Sequence, residues 1–390
     1  MVLLLHNRYR TTGGEERAVA DLRWLVAEHL GEEVEVLERD SAQLRPARAA
    51  AGLLRGGLDP DEVGDAVRRT GARVVHAHNV NPAFGRRGLE AARAAGARVV
   101  LHLHNYRLVC AVGTCFTRGE DCTRCHGRNT WPGVRLACRG SRVESAVYGA
   151  GLALHQRGLA DACDAFVVPS EFALSRLHEL GAPLGDRARA IASVQREFAP
   201  ASRAADGAYA LYAGRLSEEK GVDAAIRACA RAGVPLAIAG AGPAEAQLRE
   251  LAAGLPGRAA SGPVSAPEAG RSGLSPRVTF LGLVSPERLR SLRAGAGLAI
   301  VPSRYAEIFP LAAAEAMAAG LPTVAFATGG LRGFVSDDCL ASLGDEAALA
   351  DLVAARFRDV EAGERALAAA RARCAPEVVA EALRQVYDGD

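Results

Sequence analysis

Glu307 and Glu315 are separated by seven residues, Ile-Phe-Pro-Leu-Ala-Ala-Ala, and the chemistry of that spacing can be read from its surroundings. Gly297 to Val301 reads as a short buried strand ended by Pro302-Ser303, and the Ala-rich run from Leu311 to Ala319 reads as a helix. Pro310 suits a first helical position, which needs no backbone N–H. Glu307 then lies in the loop and Glu315 about a turn and a half into the helix. The amides of Ile308, Phe309 and Leu311 are expected to point from the helix N-terminus into a crevice at the strand's carboxyl end. That is a site for an anion, most simply a phosphate. Two carboxylates beside it make sense if the anion carries hydroxyls, as in a sugar nucleotide. The plain alternative is a pair of solvated glutamates.

A cationic counterpart follows the strand Ala210–Ala213, in the string Gly-Arg-Leu-Ser-Glu-Glu-Lys-Gly. Arg215 stands at that strand's carboxyl end, and Lys220 just before the next helix, where a diphosphate would rest. Lys220 is the only lysine among 47 basic residues. An arginine excess of this kind is ordinary in a GC-rich genome. A lysine kept against it suggests a place for a compact ammonium where a planar guanidinium does not fit. Gly13-Gly14 forms a strand-to-helix turn that lets backbone approach a ligand. His76, His78, His102 and His104 alternate within two strands, and His78 and His104, at the carboxyl ends, carry the functional weight. Cys110, Cys115, Cys122, Cys125 and Cys138 crowd one segment. Cys122 and Cys125 have the spacing of half a zinc knuckle, and Cys110, Cys115, Cys138 or His126 could complete it. Packed free thiols are the alternative.

Strands alternating with helices must position these groups. VLLLH at 2–6, VEVL at 34–37, RVVHAH at 73–78 and RVVLHLH at 98–104 read as strands, with a helix from Gly88 to Ala95 between the last two. This rhythm indicates a doubly wound parallel sheet. Composition loses its periodicity between Gln195 and Gly207, which marks a domain boundary, and a second sheet opens at Ala210. Residues 254–276 read as a surface insertion. Length suits two domains, and a net charge of +2 argues against general attraction to nucleic acid. No segment is long and apolar enough for a membrane span or a signal peptide, so a cytoplasmic protein with reduced thiols is expected.

Glu307-Ile-Phe-Pro-Leu-Ala-Ala-Ala-Glu315 resembles the E-x7-E motif of glycosyltransferase family 4, retaining enzymes of the GT-B fold. Gly214 to Gly221 is similar to the family's second signature, and the likeness extends over nearly the whole chain. It implies an α/β protein of two Rossmann-like doubly wound domains facing a central cleft. Residues 1–199 would bind acceptor and carry the Cys-rich loop 110–138, residues 200–370 would bind donor, and residues 371–390 would cross back to the first domain. By resemblance, Glu307 lies near the donor sugar and Glu315 binds the nucleotide ribose, while Arg215 and Lys220 meet the pyrophosphate. His104 sits against the donor sugar. Gly13, Gly14, Gly240 and Val284 line the nucleotide, and His78, Asn79, Asn105 and Tyr106 fall in acceptor-domain segments. The expected partners are a nucleoside-diphosphate-sugar and a sugar, lipid-linked or small-molecule acceptor, with no cofactor or catalytic metal. Peripheral contact with the inner face of a membrane is compatible with this. Gly333 stands where the family usually has a glutamate, and Ala111 where related cysteine loops have proline. A non-catalytic sugar-nucleotide binder or scaffold is therefore the competing reading.

Overall fold

The computed structural model describes residues 1–8, 14–255 and 278–389. The expected insertion 254–276 lies almost wholly outside them. The chain divides into two compact units: one of residues 1–117, 121–196 and 374–390, the other of residues 118–120 and 197–373.

In the N-terminal unit, β1 (Val2–Arg8), β2 (Val34–Asp40), β3 (Val74–His78) and β4 (Arg98–His102) are followed by a small hairpin, β5 (Phe116–Thr117) and β6 (Glu120–Asp121). β7 (Ala165–Val168) and β8 (Ala188–Ala190) complete it. Six of these make one sheet in the order β2-β1-β3-β4-β7-β8, with parallel pairing throughout. A parallel sheet is covered on both faces, so its strands are continuous apolar runs rather than alternating ones. Val2, Leu3, Leu4 and Leu5 are accordingly all fully buried. One face packs Val2, Leu4, Val74 and Val100 against Leu22, Leu25 and Val26 of the helix Gly14–His29. The same cluster takes in Val379, Leu383, Val386 and Tyr387 of the last helix, Pro376–Asp388. Each such buried side chain contributes about 1.5–3 kcal/mol.

The C-terminal unit holds β9 (Tyr209–Ala213), β10 (Leu236–Ala239), β11 (Val278–Gly282), β12 (Ala296–Val301), β13 (Thr323–Phe326) and β14 (Leu340–Ala341). Their order is β11-β10-β9-β12-β13-β14, again parallel. The chain therefore leaves β9 toward one edge and later resumes beside it, at β12. Where strand order reverses in this way, the loops at the carboxyl ends part and leave a crevice for a ligand.

Candidate active site

The two signature strings meet at that reversal. β9 delivers Gly214 to Gly221 and β12 delivers Pro302 to Pro310, and the strands pair directly, with Leu211 opposite Ala299. Lys220 Nζ donates to Glu307 Oε1 at 2.9 Å and to the Tyr305 hydroxyl at 3.4 Å. It also lies 4.9 Å from the centre of the Tyr305 ring. The Ser303 hydroxyl donates to the same carboxylate oxygen of Glu307, which is itself buried. Burial opposes the charge on Lys220, but the Glu307 carboxylate outweighs it, so its pKa is raised. Burial, then Glu307, pushes the Tyr305 phenol up to about 12, so it remains a neutral donor. Arg215, by contrast, is exposed and makes no ion pair among the described residues. A partly exposed lysine paired with a buried glutamate, and an exposed guanidinium on the same loop, leave positive charge for an anion.

Glycines permit the close approach of these loops. Gly221 has φ of 64°, and a Cβ there would stand 2.1 Å from the Pro302 carbonyl oxygen. Gly329 has φ of 54°, and a Cβ would stand 2.4 Å from the Glu307 amide nitrogen. The next amide, Gly330, donates to the Glu307 carbonyl at 2.7 Å. Arg304 ties the loops together through Asp223 at 2.7 Å and through its own amide to the Glu219 carbonyl at 2.8 Å.

The second glutamate has a partner that spacing did not reveal. Glu315 is ion-paired with Arg293 of the helix Pro286–Ala294, and both side chains are almost fully buried. Ser303, Tyr305 and Arg293 thus join the site without any sequence signal of their own. Gly240 donates to the Gly282 carbonyl at 2.8 Å, and Val284 packs against the core cluster containing Leu292 and Ala316. Gly333, with φ of 74°, has its carbonyl held by Arg373.

Several expectations need correction. The helix runs from Leu311 to Ala318, so Pro310 caps it rather than opening it. The Leu311 amide donates to the Phe309 carbonyl at 3.0 Å, inside its own turn, and is not presented to an anion. Phe309 sets its ring edge-on to Phe334, 5.3 Å between centroids, and Ile308 is buried. Gly13 lies outside the described residues, and Gly14 is the first residue of the helix that follows.

In the N-terminal unit the two histidine pairs form one array, because β3 and β4 are neighbours with His78 opposite His102. His102 and His104 stack at 4.1 Å, His78 and His104 at 5.1 Å, and His76 and His78 at 4.8 Å. His76 Nδ1 meets the Tyr387 hydroxyl at 2.7 Å, and His78 Nδ1 meets His104 Nε2 at 2.7 Å. Burial is the first cause holding all four below the usual imidazole range, His76 and His104 at about 3. The array is neutral. His76, His78 and His102 also place ring nitrogens within 4.8 Å of one another, a set with the donor chemistry for a metal, but two of those nitrogens already hydrogen-bond each other at 3.2 Å. Of the acceptor-side candidates, His78 and Tyr106 are fully buried and so brace the loop rather than contact a ligand. Asn79 donates to the Asn7 carbonyl at 2.5 Å, and Asn105 accepts from the Arg107 amide at 3.0 Å.

All nine cysteines are free thiols, and Cys110, Cys115, Cys122, Cys125 and Cys138 line a single cavity. His126 does not line it: its ring faces Gly181, where a Cβ would stand 2.7 Å away.

Anabaena HepE, solved in complex with UDP and glucose, matches with a TM-score of 0.65 and 17% identity, covering 100% of both chains. The chain has the GT-B fold. Within this GT-B chain, residues 207–359, less than half of its length, match the family described as Glycosyl transferases group 1. An uncharacterised glycosyltransferase of Methanocaldococcus jannaschii is 33% identical over 132 residues, 33% of this chain and 29% of that protein. A D-inositol 3-phosphate glycosyltransferase of Mycolicibacterium smegmatis is 48% identical over 73 residues, 19% of this chain and 17% of that protein. The matched stretches therefore span less than a third of these relatives' length. The family match contains Lys220, Glu307 and Glu315, whereas the histidine array and the cysteine loop lie outside it. No helix among the described residues is long and apolar enough to cross a membrane.

Proposed function

We propose that this protein is a retaining, metal-independent glycosyltransferase of family 4. It would transfer a sugar from a nucleoside diphosphate to the hydroxyl of a sugar, lipid-linked or small-molecule acceptor. The observation that carries the reading is the meeting of Lys220 and Glu307 at the strand-order reversal, with the unpaired Arg215 on the same loop. A nucleoside diphosphate gains negative charge as its bond to the sugar breaks. Lys220 and Arg215 meet that charge as it develops, which is where electrostatic stabilisation lowers the barrier. Glu307 orients the sugar and favours its oxocarbenium-like state. No carboxylate is assigned to covalent attack: the departing phosphate takes the proton of the incoming hydroxyl on the same face, so an α-linked donor yields an α-linked product. Glu315, set in place by Arg293, receives the ribose. His104, neutral and hence both donor and acceptor, holds a hydroxyl of the donor sugar. We place the acceptor with the N-terminal unit and the protein in the cytoplasm.

Because HepE was solved with UDP and glucose, UDP-hexoses lead the test. Thermal unfolding with UDP-, GDP-, ADP- and dTDP-sugars should show one base raising the midpoint, since a ligand of the folded state stabilises it. Release of nucleoside diphosphate in the presence of acceptor separates an enzyme from a binder. An anomeric coupling that reports a β product from an α donor would sink the retaining mechanism.

A further inference from the structure

We propose that the segment 103–141 is a zinc-binding module, with one Zn²⁺ held as a tetrathiolate by Cys110, Cys122, Cys125 and Cys138. Nothing in the proposed transfer reaction uses these four cysteines, and the inference stands or falls apart from it.

The local fold calls for a staple. Between β4 and the helix Arg142–Asp161 the regular structure amounts to a hairpin of two-residue strands and the five-residue helix Trp131–Arg135. Three of the six described non-glycine residues with positive φ fall here: Cys115, Arg118 and Ala137. Such conformations cost free energy and persist only where the surroundings over-determine them. The five thiols that converge on one cavity come from three separate stretches of this segment.

The choice of four rests on their surroundings. Cys122 and Cys125 form a Cys-x-x-Cys pair able to chelate one ion. All five thiols line the same cavity, and the Cys115 thiol hydrogen-bonds Cys110. Cys115 is assigned the place of an outer partner of Cys110, which leaves four thiols for the ion. A backbone donor is already aimed at one sulfur. The Gly113 amide donates to Cys110 Sγ at 3.4 Å. N–H groups of this kind stabilise thiolate ligands and fix their direction.

Four thiolates around Zn²⁺ leave a charge of −2, and cations stand near it. Arg124 Nη1 is 3.6 Å from Cys122 Sγ, and Arg139 donates to the Ala111 carbonyl at 3.2 Å. An ion held by four thiols that line the cavity would tie its three chain stretches together, so the module should tighten on metal uptake.

The test uses the full chain, purified under reductant, dialysed against zinc and then against buffer, with metal counted by elemental analysis. One zinc per chain is expected. Replacement by Co²⁺ should give an intense thiolate-to-cobalt charge-transfer band. The double variant Cys122→Ser/Cys125→Ser should lose that band and weaken zinc binding by about 100-fold or more. Cys115→Ser and the distant control Cys339→Ser should keep both. Chelation should speed proteolysis within residues 103–141 and leave the C-terminal unit's cleavage unchanged. No bound zinc in the reduced wild-type chain overturns the proposal. So does an unchanged cobalt band in the double variant, or its loss in Cys115→Ser.

Discussion

The carboxyl edges of the two sheets solve the same architectural problem with opposite chemistry. In the C-terminal unit the edge pairs charge, Lys220 with Glu307, and leaves Arg215 exposed. In the N-terminal unit it carries four stacked imidazoles that burial keeps neutral. Opposite charges within reach stabilise each other's ionised forms, whereas clustered like groups suppress one another's ionisation. Diphosphate chemistry belongs to the first edge. The second supplies hydrogen bonds that carry no net charge.

Acid should separate the two units most sharply. Each buried histidine has a folded pKa below its unfolded value near 6.5, so the unfolded chain binds more protons in between. Their contribution is fully present above pH 6.5 and is lost as pH falls from there toward about 3. Hydrogen exchange from pH 7 to pH 5 should show the N-terminal unit opening first. Simultaneous loss of protection in both sheets would contradict the contrast drawn above.

Arg293→Ala comes next, because it removes the guanidinium from an ion pair whose two side chains are almost fully buried. Breaking such a pair costs about 3–5 kcal/mol, and denaturant unfolding should place that loss in the C-terminal unit. A midpoint unchanged from wild type would show the pair to be incidental. Glu307→Gln should lower turnover by about 10²–10³-fold, a loss comparable to that of one transition-state-stabilising group, with donor affinity much less affected. Equal losses in both quantities would remove Glu307 from the catalytic set. Lys220→Ala should weaken nucleoside-diphosphate binding by about 10–100-fold, the worth of a charged hydrogen bond. Lys220→Arg should not restore it, since the wider fork cannot sit beside Glu307 and Tyr305. Calorimetry with the free diphosphate reads this directly, and full affinity in Lys220→Arg would make the lone lysine an accident of composition.

Sequence alone determined the parts whose signals are local. Continuous apolar runs such as Val2–Leu5 predicted buried parallel strands, and the seven-residue spacing placed Glu307 in a loop and Glu315 on a helix. Local chemistry also sets helix starts: the Ser170 hydroxyl caps the helix Glu171–Glu179, accepting from the Ala173 amide at 3.2 Å. The helices Pro46–Arg55 and Pro60–Thr70 have no assignment in the sequence reading, although each opens on a proline suited to a first helical turn. Strand adjacency was not legible, because it depends on which crossover the chain takes and not on any one segment. That adjacency decided that Lys220 would meet Glu307 across 87 residues, and that two histidine pairs would become one array. It also decided that Glu315 would find Arg293 and that Tyr106 would be core. Residue type set what each group can do, and only the packing of distant strands set which of them do it together.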